Sequence, residues 1–465
     1  MNITDFLPAG SLNSEPIIFV ILLVSIVYYY LKTKYSQLIL LFLVSLFFLF
    51  SINNYAYEIV LAFFGFVSIN YFFYLYASKS KTTLTFGVLF NLAILFFSKY
   101  FIFSLEILQI ENEYKNIISF FLFAGVSFFV FSMIATLVER FRTKEKSIDF
   151  LVFASYALFF PKIVMGPIVS LNTFATQFHY KKQNEARTKL AVFLFMFGYA
   201  QKTLADFLFL YPNLVFSTPS GYAGSVHIVS IFAYSAQLYL DFAGYSLMAV
   251  AMALFFGYYI PQNFNRPYLA SSITEFWQRW HITLSLWLKN HIYIPLGGSQ
   301  KGLFRLYVAL FLTFVASGVW HGVGFNYLLW GIWHAAGIML HKSWKLLGLK
   351  MPDFLGWILT IIFVSFGWIL FIYNSFDDLN SVVSNIFYNF DLSILPSVFY
   401  SNVEWSICFF GAWMLILAPT NFVQKFKKVI FNLPWALQIL IIAVIFYANI
   451  YVKTVVVAPF IYESF

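Results

Sequence analysis

Long apolar runs separated by short polar connections make up most of this chain. The runs are of the length that a membrane-spanning helix needs, about 20 residues, and they are continuous rather than alternating, which argues against β-barrel strands. They lie at about 16–31, 37–52, 58–77, 83–104, 117–138, 150–170, 189–211, 226–260, 306–319, 325–341, 355–373, 401–419 and 431–452. The pattern predicts an all-α polytopic integral membrane protein with about 11–13 membrane helices.

Two stretches do not fit a simple span. Phe160–Pro167 places two prolines and Lys162 in the middle of an apolar run, and broken backbone at membrane depth is tolerated only where it is buried in protein or lines a cavity. Residues 270–293 carry too many polar groups to cross. At about 100° per residue their apolar members share one face about 120° wide, namely Phe276, Trp277, Trp280, Leu284, Trp287 and Leu288. We therefore expect re-entrant backbone at 160–167 and an interfacial amphipathic helix at 270–293.

Composition supports the membrane assignment. Of 465 residues 61% are apolar and 10% are charged, whereas a soluble domain carries about 25% charged residues. The net charge is +9, with the basic residues at helix ends, which favours topology signals and lipid headgroups over nucleic acid as partners. Cys408 is the only cysteine, so no intramolecular disulfide or cysteine metal cluster can form, and we expect no metal site.

Basic and acidic connections alternate along the chain. The basic ones carry Lys32 and Lys34, Lys79 and Lys81, Arg140 to Lys146, Lys342 to Lys350, and Lys425 to Lys428. Because basic loops stay cytoplasmic, the pattern places the N-terminus and a C-terminal tail, 453–465, outside the cell. The first 15 residues lack a basic n-region, so we expect no cleavable signal peptide. No fixed-period repeat or linker interrupts the chain, which predicts one domain over 1–465.

His321 is the first candidate for chemistry. It follows Trp320 and lies among Gly318, Gly322 and Gly324 in an otherwise apolar stretch. An ionisable group at membrane depth costs about 2.5–3.5 kcal/mol even on insertion scales, while an imidazole can take and return a proton near neutral pH. The alternative is a packing histidine bonded to a neighbouring helix, and the second histidine motif upstream favours function.

That upstream motif ends in Trp280-His281, at the border of the amphipathic face and one turn before Ser285. A histidine at such an edge is often only part of the amphipathic pattern, so His281 is the weaker candidate. The other histidines have no comparable surroundings and are interpreted as structural or surface residues: His179, His227, His291, His334 and His341.

Asp241 lies near the centre of the 226–260 run. A buried carboxylate there must be paired or protonated. It either orients a catalytic group or a proton path, or it anchors the structure through hydrogen bonds. In the polar loop 261–268, Arg266 together with Arg279 would suit a phosphate-bearing donor, although positive-inside charge explains both residues nearly as well.

The tail Pro459–Phe465 is unusually aromatic for a C-terminus, since termini are normally polar and frayed. It is either an interfacial aromatic anchor or a segment folded back into a cavity, with the Tyr462 hydroxyl presented to the chemistry.

Five motifs in order resemble the membrane-bound O-acyltransferase family, most closely its bacterial branch that O-acetylates alginate and peptidoglycan. They are Gln237–Tyr245, Asn263–Pro267, Thr274–His281, Tyr293–Gly298 and Gly318–Gly322. The likeness is strong over about 120–345 and separate in the tail.

The resemblance implies that His321 is the catalytic histidine, that His281 is the first polar site of the pair, and that Tyr462 accepts the acyl group transiently. Glu463-Ser464 replaces the more aromatic or Gln-containing ending of relatives, which weakens the tail assignment. We expect substrate-binding residues among Asp241, Asn265, Arg266, Arg279, Trp280, Ser285 and Trp320.

The resemblance also implies a central catalytic chamber, surrounded by the re-entrant and amphipathic segments, and it implies a substrate class and a cellular location for the protein. It predicts a bacterial inner-membrane enzyme that carries an acetyl group from a cytoplasmic thioester, acetyl-CoA or an acyl carrier protein, to an envelope polysaccharide, peptidoglycan first and an alginate-like polymer second. An extracytoplasmic SGNH-type O-acetyltransferase would collect the group, and membrane lipids surround the chain.

Three other functions stay open. One is D-alanyl transfer to teichoic acid, and the second is a transporter of lipid-linked sugars or protons. The transporter is disfavoured by the paired Trp-His motifs and by the lack of similarity between the two halves. The third is a non-catalytic scaffold for a periplasmic acyltransferase.

Overall fold

The computed structural model describes residues 15–53, 56–101, 104 and 124–455. In these ranges, eight helices are long and apolar enough to cross a membrane, or ten if each of two sharply bent pairs counts as one span. Ile17–Tyr30 is a shorter apolar helix. The predicted all-α polytopic membrane fold is confirmed. The tail residues 456–465, with Tyr462, lie outside the described residues, so the tail assignment stays a prediction.

The described chain divides into two compact units, and the one-domain prediction is not tested by that division. The first unit is Met1–Phe195 with Tyr245–Gln262. Its helices are α1 (Glu15–Tyr30), α2 (Lys34–Ile52), α3 (Tyr57–Ala77), α4 (Lys81–Lys99), α5 (Val126–Thr143), α6 (Phe150–Leu158), α7 (Phe160–Ile163) and α8 (Leu171–Ala175). Two long helices contribute to both units, α9 (Glu185–Ser217) and α10 (Gly224–Phe255).

Local sequence accounts for several boundaries in the first unit. Thr33 caps α2, where its hydroxyl accepts a hydrogen bond from the Ser36 amide at 3.0 Å and the Ser36 hydroxyl accepts one from the Thr33 amide at 3.3 Å. Ser80 caps α4, where its hydroxyl accepts a hydrogen bond from the Thr83 amide. Such caps satisfy backbone donors that a helix start leaves open.

The run at 150–170 does not form one continuous helix of membrane-spanning length. It forms two short helices, α6 and α7, separated at Phe159. The Asn172 side chain donates a 2.8 Å hydrogen bond to Glu145, so the two ends of the segment meet on the same side of the unit. All residues from Val152 to Pro167 are buried, and a Cβ on Gly166 would lie 2.1 Å from the Pro161 carbonyl oxygen. The predicted re-entrant segment is present and is enclosed by protein, as broken backbone requires.

The second unit is Met196–Gly244 with Asn263–Phe465. Its remaining helices are α11 (Ile273–Arg279), α12 (Ile282–Leu288), α13 (Leu303–His321), α14 (Phe325–Leu346), α15 (Asp353–Gly367), α16 (Ile369–Ile372), α17 (Phe376–Tyr388), α18 (Leu395–Ser401), α19 (Val403–Leu417), α20 (Thr420–Phe431) and α21 (Trp435–Val455). α19 and α20 form a bent pair at 105°, and the segments 376–388 and 392–401 form another at 94°.

Glycines bring α13 and α14 into close contact. A Cβ on Gly318 would lie 2.3 Å from the Tyr327 carbonyl oxygen, and one on Gly331 would lie 2.6 Å from the Phe314 carbonyl oxygen. Real Cβ atoms do not approach that closely, so the crossing depends on glycine at both positions. Because α13 ends at His321, this crossing also positions the first candidate histidine.

Candidate functional site

His321 ends α13 and is 4% exposed. Its ring is enclosed by aromatic side chains, with centroid distances of 4.7 Å to Trp320, 4.9 Å to Trp330 and 5.0 Å to Phe371. The backbone at Gly322 is covered by the Tyr327 ring, which a Cβ at 322 would meet at 2.3 Å. The imidazole is thus enclosed by aromatic rings and has little contact with bulk water.

The structure corrects one expectation about His281. The predicted single amphipathic helix over 270–293 is broken into α11 and α12, and His281 lies at the break with a φ of 42°. Left-handed backbone is uncommon for a residue other than glycine. It turns His281 inward, where it is 1% exposed, instead of leaving it at the border of an apolar face.

Backbone hydrogen bonds to residues 263 and 265 stabilise the break between α11 and α12. The Asn265 amide donates to the Arg279 carbonyl oxygen at 2.9 Å, and the Ile282 amide donates to the Asn263 carbonyl oxygen at 2.8 Å. Since these partners lie outside the helical stretch, the side-chain periodicity of 270–293 carries no sign of them.

Asn263 is a site residue that sequence reasoning missed. Its Oδ1 accepts hydrogen bonds from the Thr283 amide at 3.2 Å and the Thr283 hydroxyl at 2.9 Å, and it lies 3.1 Å from His281 Nδ1. An oxygen that accepts from Thr283 requires His281 Nδ1 to be the protonated nitrogen, which leaves the ring lone pair on Nε2. In the sequence Asn263 is one member of the motif Asn263–Pro267. Nothing in that motif indicates that its side chain is buried.

Burial also fixes the charge of His281. Loss of solvation on burial lowers the pKa of His281 to about 3. The helices α11 and α12 have seven residues each and are too short to span a membrane. With this pKa, the His281 imidazole between them is neutral at physiological pH.

Trp320 brings the two histidine motifs together. Its ring centroid is 6.5 Å from that of His281 and 4.7 Å from that of His321. The Trp280 ring lies 5.1 Å from that of Phe264 and 5.0 Å from that of Trp368, and the His281 ring also lies beside Phe264, at 6.5 Å. Two motifs forty residues apart in the sequence therefore form one aromatic-walled site.

His334 also lies in this aromatic region, although it was interpreted as structural. It is fully buried, and neither ring nitrogen has a hydrogen-bond partner among the described residues. Its ring centroid is 4.7 Å from that of Trp330, which in turn contacts His321.

Asp241 is part of a buried ion cluster. It lies 2.9 Å from Lys202 Nζ, and the same ammonium pairs closely with Asp206. The three side chains are 3–11% exposed. Lys202 was not singled out from the sequence, although a lysine inside the 189–211 apolar run was a visible signal. Pairing satisfies the requirement placed on Asp241, and both of its interpretations remain predictions.

The other proposed substrate-binding residues have different surroundings. Arg266 donates to Thr420 Oγ1 at 3.0 Å and to the carbonyl oxygens of Ile416 and Ala418, so it braces the bend between α19 and α20. Arg279 pairs with Glu275. Asn265 is exposed, and Ser285 donates to the Trp280 carbonyl oxygen at 3.2 Å. Trp320 contacts both His281 and His321, Trp280 shares Phe264 as a neighbour with His281, and the binding roles of the whole set remain predictions.

Comparison with known proteins gives one family match. The model of MBOAT, the membrane-bound O-acyltransferase family, matches residues 25–383. That range contains both histidine motifs, the ion cluster and the re-entrant segment.

Individual relatives are similar over about half of the chain. The Probable alginate O-acetylase AlgI of Pseudomonas aeruginosa is 35% identical over 253 residues, which are 53% of this chain and 48% of that protein. The Peptidoglycan O-acetyltransferase of Helicobacter pylori is 36% identical over 230 residues, 48% of this chain and 44% of that protein. The Teichoic acid D-alanyltransferase of Bacillus subtilis is 28% identical over 295 residues, 57% and 71% of the two chains. The chain spans about half the length of the two O-acetylating relatives.

Proposed function

Since the chain belongs to the membrane-bound O-acyltransferase family, we propose that it transfers an acetyl group from a cytoplasmic thioester, acetyl-CoA or an acyl carrier protein, toward an envelope polysaccharide outside the bacterial inner membrane. Peptidoglycan is the first candidate polymer and an alginate-like exopolysaccharide is the second. The observation that carries the proposal is the enclosed His321 at the end of α13, with His281 joined to it through Trp320.

His321 acts as the general base. Its imidazole takes the proton of an incoming hydroxyl while that oxygen attacks the thioester carbonyl carbon. The C–S bond then breaks, and the imidazolium returns the proton to the leaving thiolate. His321 ends a helix, and the negative end of the helix dipole favours the positive charge that the ring carries between these two steps.

His281 supports the reaction without changing its charge. Asn263 fixes the ring through Nδ1, so a neutral Nε2 is presented in a defined direction. A buried imidazole held in this way positions a substrate group by accepting a hydrogen bond. We therefore assign His281 an orienting role, secondary to that of His321.

The acceptor hydroxyl is proposed to be that of Tyr462. A tyrosine phenol has an ordinary pKa near 10, so at neutral pH it needs a base before it can attack. The resulting ester would sit on a tail that the loop charges predict to lie outside, where an SGNH-type O-acetyltransferase would pass the acetyl group to the polymer. A thioester made inside and a polymer outside are then connected without moving the donor across about 30 Å of hydrocarbon.

D-alanyl transfer is the second candidate because the Bacillus subtilis D-alanyltransferase is similar over a larger share of its own length, 71%. Its identity is lower, 28% against 35–36% for the O-acetylating relatives. The mass of the transferred group distinguishes the two reactions directly.

One complementation experiment tests the proposal. A deletion strain is complemented with wild type, Tyr462→Phe or empty vector, and acyl groups on peptidoglycan and exopolysaccharide are identified by mass spectrometry. We expect O-acetyl groups with wild type and none with the vector or with Tyr462→Phe, which deletes one oxygen and keeps the ring. The C-terminal peptide of wild type should carry one acetyl group. Full acetylation with Tyr462→Phe would remove the tyrosyl relay, and unchanged polymers in the vector strain would reject O-acetylation altogether.

A further inference from the structure

A group of cationic side chains converges within the first unit, to which neither His281 nor His321 belongs. We call it the 181/187 cluster: Lys181 and Arg187, with His179 and Lys34 at its edge. Lys181 Nζ lies 3.3 Å from His179 Nε2 and 4.7 Å from the centroid of the Tyr258 ring. Arg187 donates to the Tyr29 hydroxyl at 2.9 Å. Lys34 Nζ lies 4.9 Å from the centroid of the Phe178 ring.

The fold builds this cluster by specific contacts. The Gln37 side chain binds the Lys181 backbone at both ends, donating to its carbonyl oxygen at 2.8 Å and accepting from its amide at 2.8 Å. Residue 181 is therefore fixed although it lies in a loop between α8 and α9.

Glycine at 257 lets the two long side chains meet. Gly257 has a φ of +77°, and a Cβ there would lie 3.1 Å from Lys181 Cδ and 3.3 Å from Arg187 Cζ. Both side chains thus approach one point on the backbone that follows α10, and a larger residue at 257 would be strained and would push them away.

Among the described residues, the partners found for the charges of Lys181 and Arg187 are neutral groups. Lys181 is 4% exposed, yet its contacts are an imidazole and a tyrosine ring. Arg187 donates to a phenol and to the Lys182 carbonyl oxygen, and its Nε is buried with no hydrogen-bond partner among the described residues. Glu185, close in sequence, is exposed and forms no ion pair with these residues within the described ranges.

Such an arrangement is costly when nothing else is bound. Buried charges are normally paired, and like charges held together repel. Burial, reinforced by the charge of the adjacent Arg187, lowers the pKa of Lys181 to about 8, so the charged form of the lysine is disfavoured. An anion placed among these groups would offset both the burial and the repulsion.

A space for a larger ligand lies beside the cluster. A cavity of about 250 Å³ is lined by Ser25, Ile26, Tyr29, Tyr30, Gln183, Thr188 and Phe255. Tyr29 belongs both to this cavity wall and to the Arg187 contact, so a ligand that fills the cavity can reach the guanidinium with its charged end.

We propose that the 181/187 cluster is a binding site for a phosphate group. Arg187 offers planar donors and Lys181 a compact ammonium, which together suit phosphate oxygens. The phosphate comes either from a nucleotide-type cofactor such as CoA or from the headgroup of an anionic phospholipid. The proposal does not depend on the catalytic role of His321, because it concerns binding alone.

The cluster differs from an ordinary cytoplasmic loop. Loop lysines that signal topology extend into water or headgroups on flexible stems, as the neighbouring exposed Lys182 does. Lys181, in contrast, is buried and anchored through its backbone. Lys182 therefore provides a control at the adjacent position with the same charge.

Binding is tested on the purified full chain in phosphatidylcholine nanodiscs. CoA and pyrophosphate are titrated by microscale thermophoresis, and melting temperature is followed with and without each. The variants are Lys181→Gln, Arg187→Gln, the charge-preserving Lys181→Arg and the control Lys182→Gln. A parallel set uses nanodiscs with added phosphatidylglycerol.

We expect Lys181→Gln and Arg187→Gln each to weaken CoA and pyrophosphate binding by about tenfold or more, while Lys182→Gln and Lys181→Arg stay within about twofold. Without ligand, Lys181→Gln should melt at or above the wild-type temperature, because a repulsive charge is gone. A lysine that serves only the structure would instead lower the melting temperature when replaced.

The two sources give different results. Binding of CoA that depends on Lys181 and Arg187 assigns the phosphate to a soluble cofactor. Stabilisation by phosphatidylglycerol alone, lost in the same two variants, assigns it to a lipid. If neither probe distinguishes these variants from Lys182→Gln, the phosphate site does not exist.

Discussion

At the scale of single residues, His281 is the clearest case of a side chain whose chemistry is set by its surroundings. Its folded pKa, about 3, lies below the ordinary value of 6.5, so protonation favours the unfolded chain. Stability from this residue is complete above about pH 6.5 and is lost as the pH falls toward 3, at up to about 1.4 kcal/mol per pH unit.

His281→Asn keeps a polar side chain next to Asn263 but does not titrate. We expect its melting temperature to fall less than that of wild type between pH 6.5 and 4, measured by differential scanning fluorimetry in one detergent. Parallel pH curves for the two proteins would show that His281 is charged or exposed in the folded state.

The ion cluster gives a second prediction at this scale. Lys202→Met would remove the ammonium that pairs with both Asp206 and Asp241, and removal of one partner from a buried pair costs about 3–5 kcal/mol. Asp241→Asn leaves the Lys202–Asp206 pair intact and should cost much less. Thermal unfolding in detergent measures both, and equal losses would contradict the pairing seen here.

The same variants separate the two interpretations of Asp241. If it belongs to a proton path, Asp241→Asn loses acyl transfer while it stays folded. If it is an anchor, activity follows stability. The sequence predicted that the Asp241 carboxylate must be paired or protonated, but it did not identify Lys202 as the partner. Lys202 lies on α9 and Asp241 on α10, and the sequence does not show which faces of these two helices meet.

At the scale of elements, apolar length predicted most helices and proline predicted the re-entrant segment. The break between α11 and α12 was not predictable, since it depends on the hydrogen bond that the Asn263 carbonyl oxygen accepts from Ile282 and the one that the Asn265 amide donates to Arg279. The inward position of His281 follows from that break. The sequence therefore located both histidine motifs, but it did not predict that His281 points inward.

The α13–α14 crossing yields a prediction for an element. In Gly318→Ala the new Cβ would meet the Tyr327 carbonyl oxygen at 2.3 Å, forcing the helices apart at about 1–3 kcal/mol and shifting His321. We expect a lower melting temperature and a larger loss of activity than stability alone explains.

Gly411→Ala is the matched control, because no described atom other than its chain neighbours and its own helix backbone lies within 4 Å of the Cβ position in α19. A helical Gly-to-Ala change in open space should be neutral or stabilise by up to about 1 kcal/mol. If both variants behave alike, close packing at Gly318 is not what positions His321.

At the scale of the whole molecule, the loop charges predict the orientation in the membrane. After removal of Cys408, Asp377→Cys and Asn54→Cys (the latter outside the described residues) should react with an impermeant thiol reagent in intact cells. Lys79→Cys and Lys425→Cys should react only after permeabilisation. Labelling of Lys425→Cys in intact cells would place the tail inside and make a tyrosyl relay to the outside impossible.

The central claim is that His321 is the base of an O-acetyl transfer. The most direct measurement is polymer acetylation in the deletion strain complemented with His321→Ala, with membrane level and melting temperature checked in parallel and His291→Ala as a matched control. Loss of a general base predicts a decrease of about 10²–10⁴-fold in a protein that remains inserted and folded, with His291→Ala near wild type. Near-normal acetylation by a well-expressed His321→Ala would contradict the account.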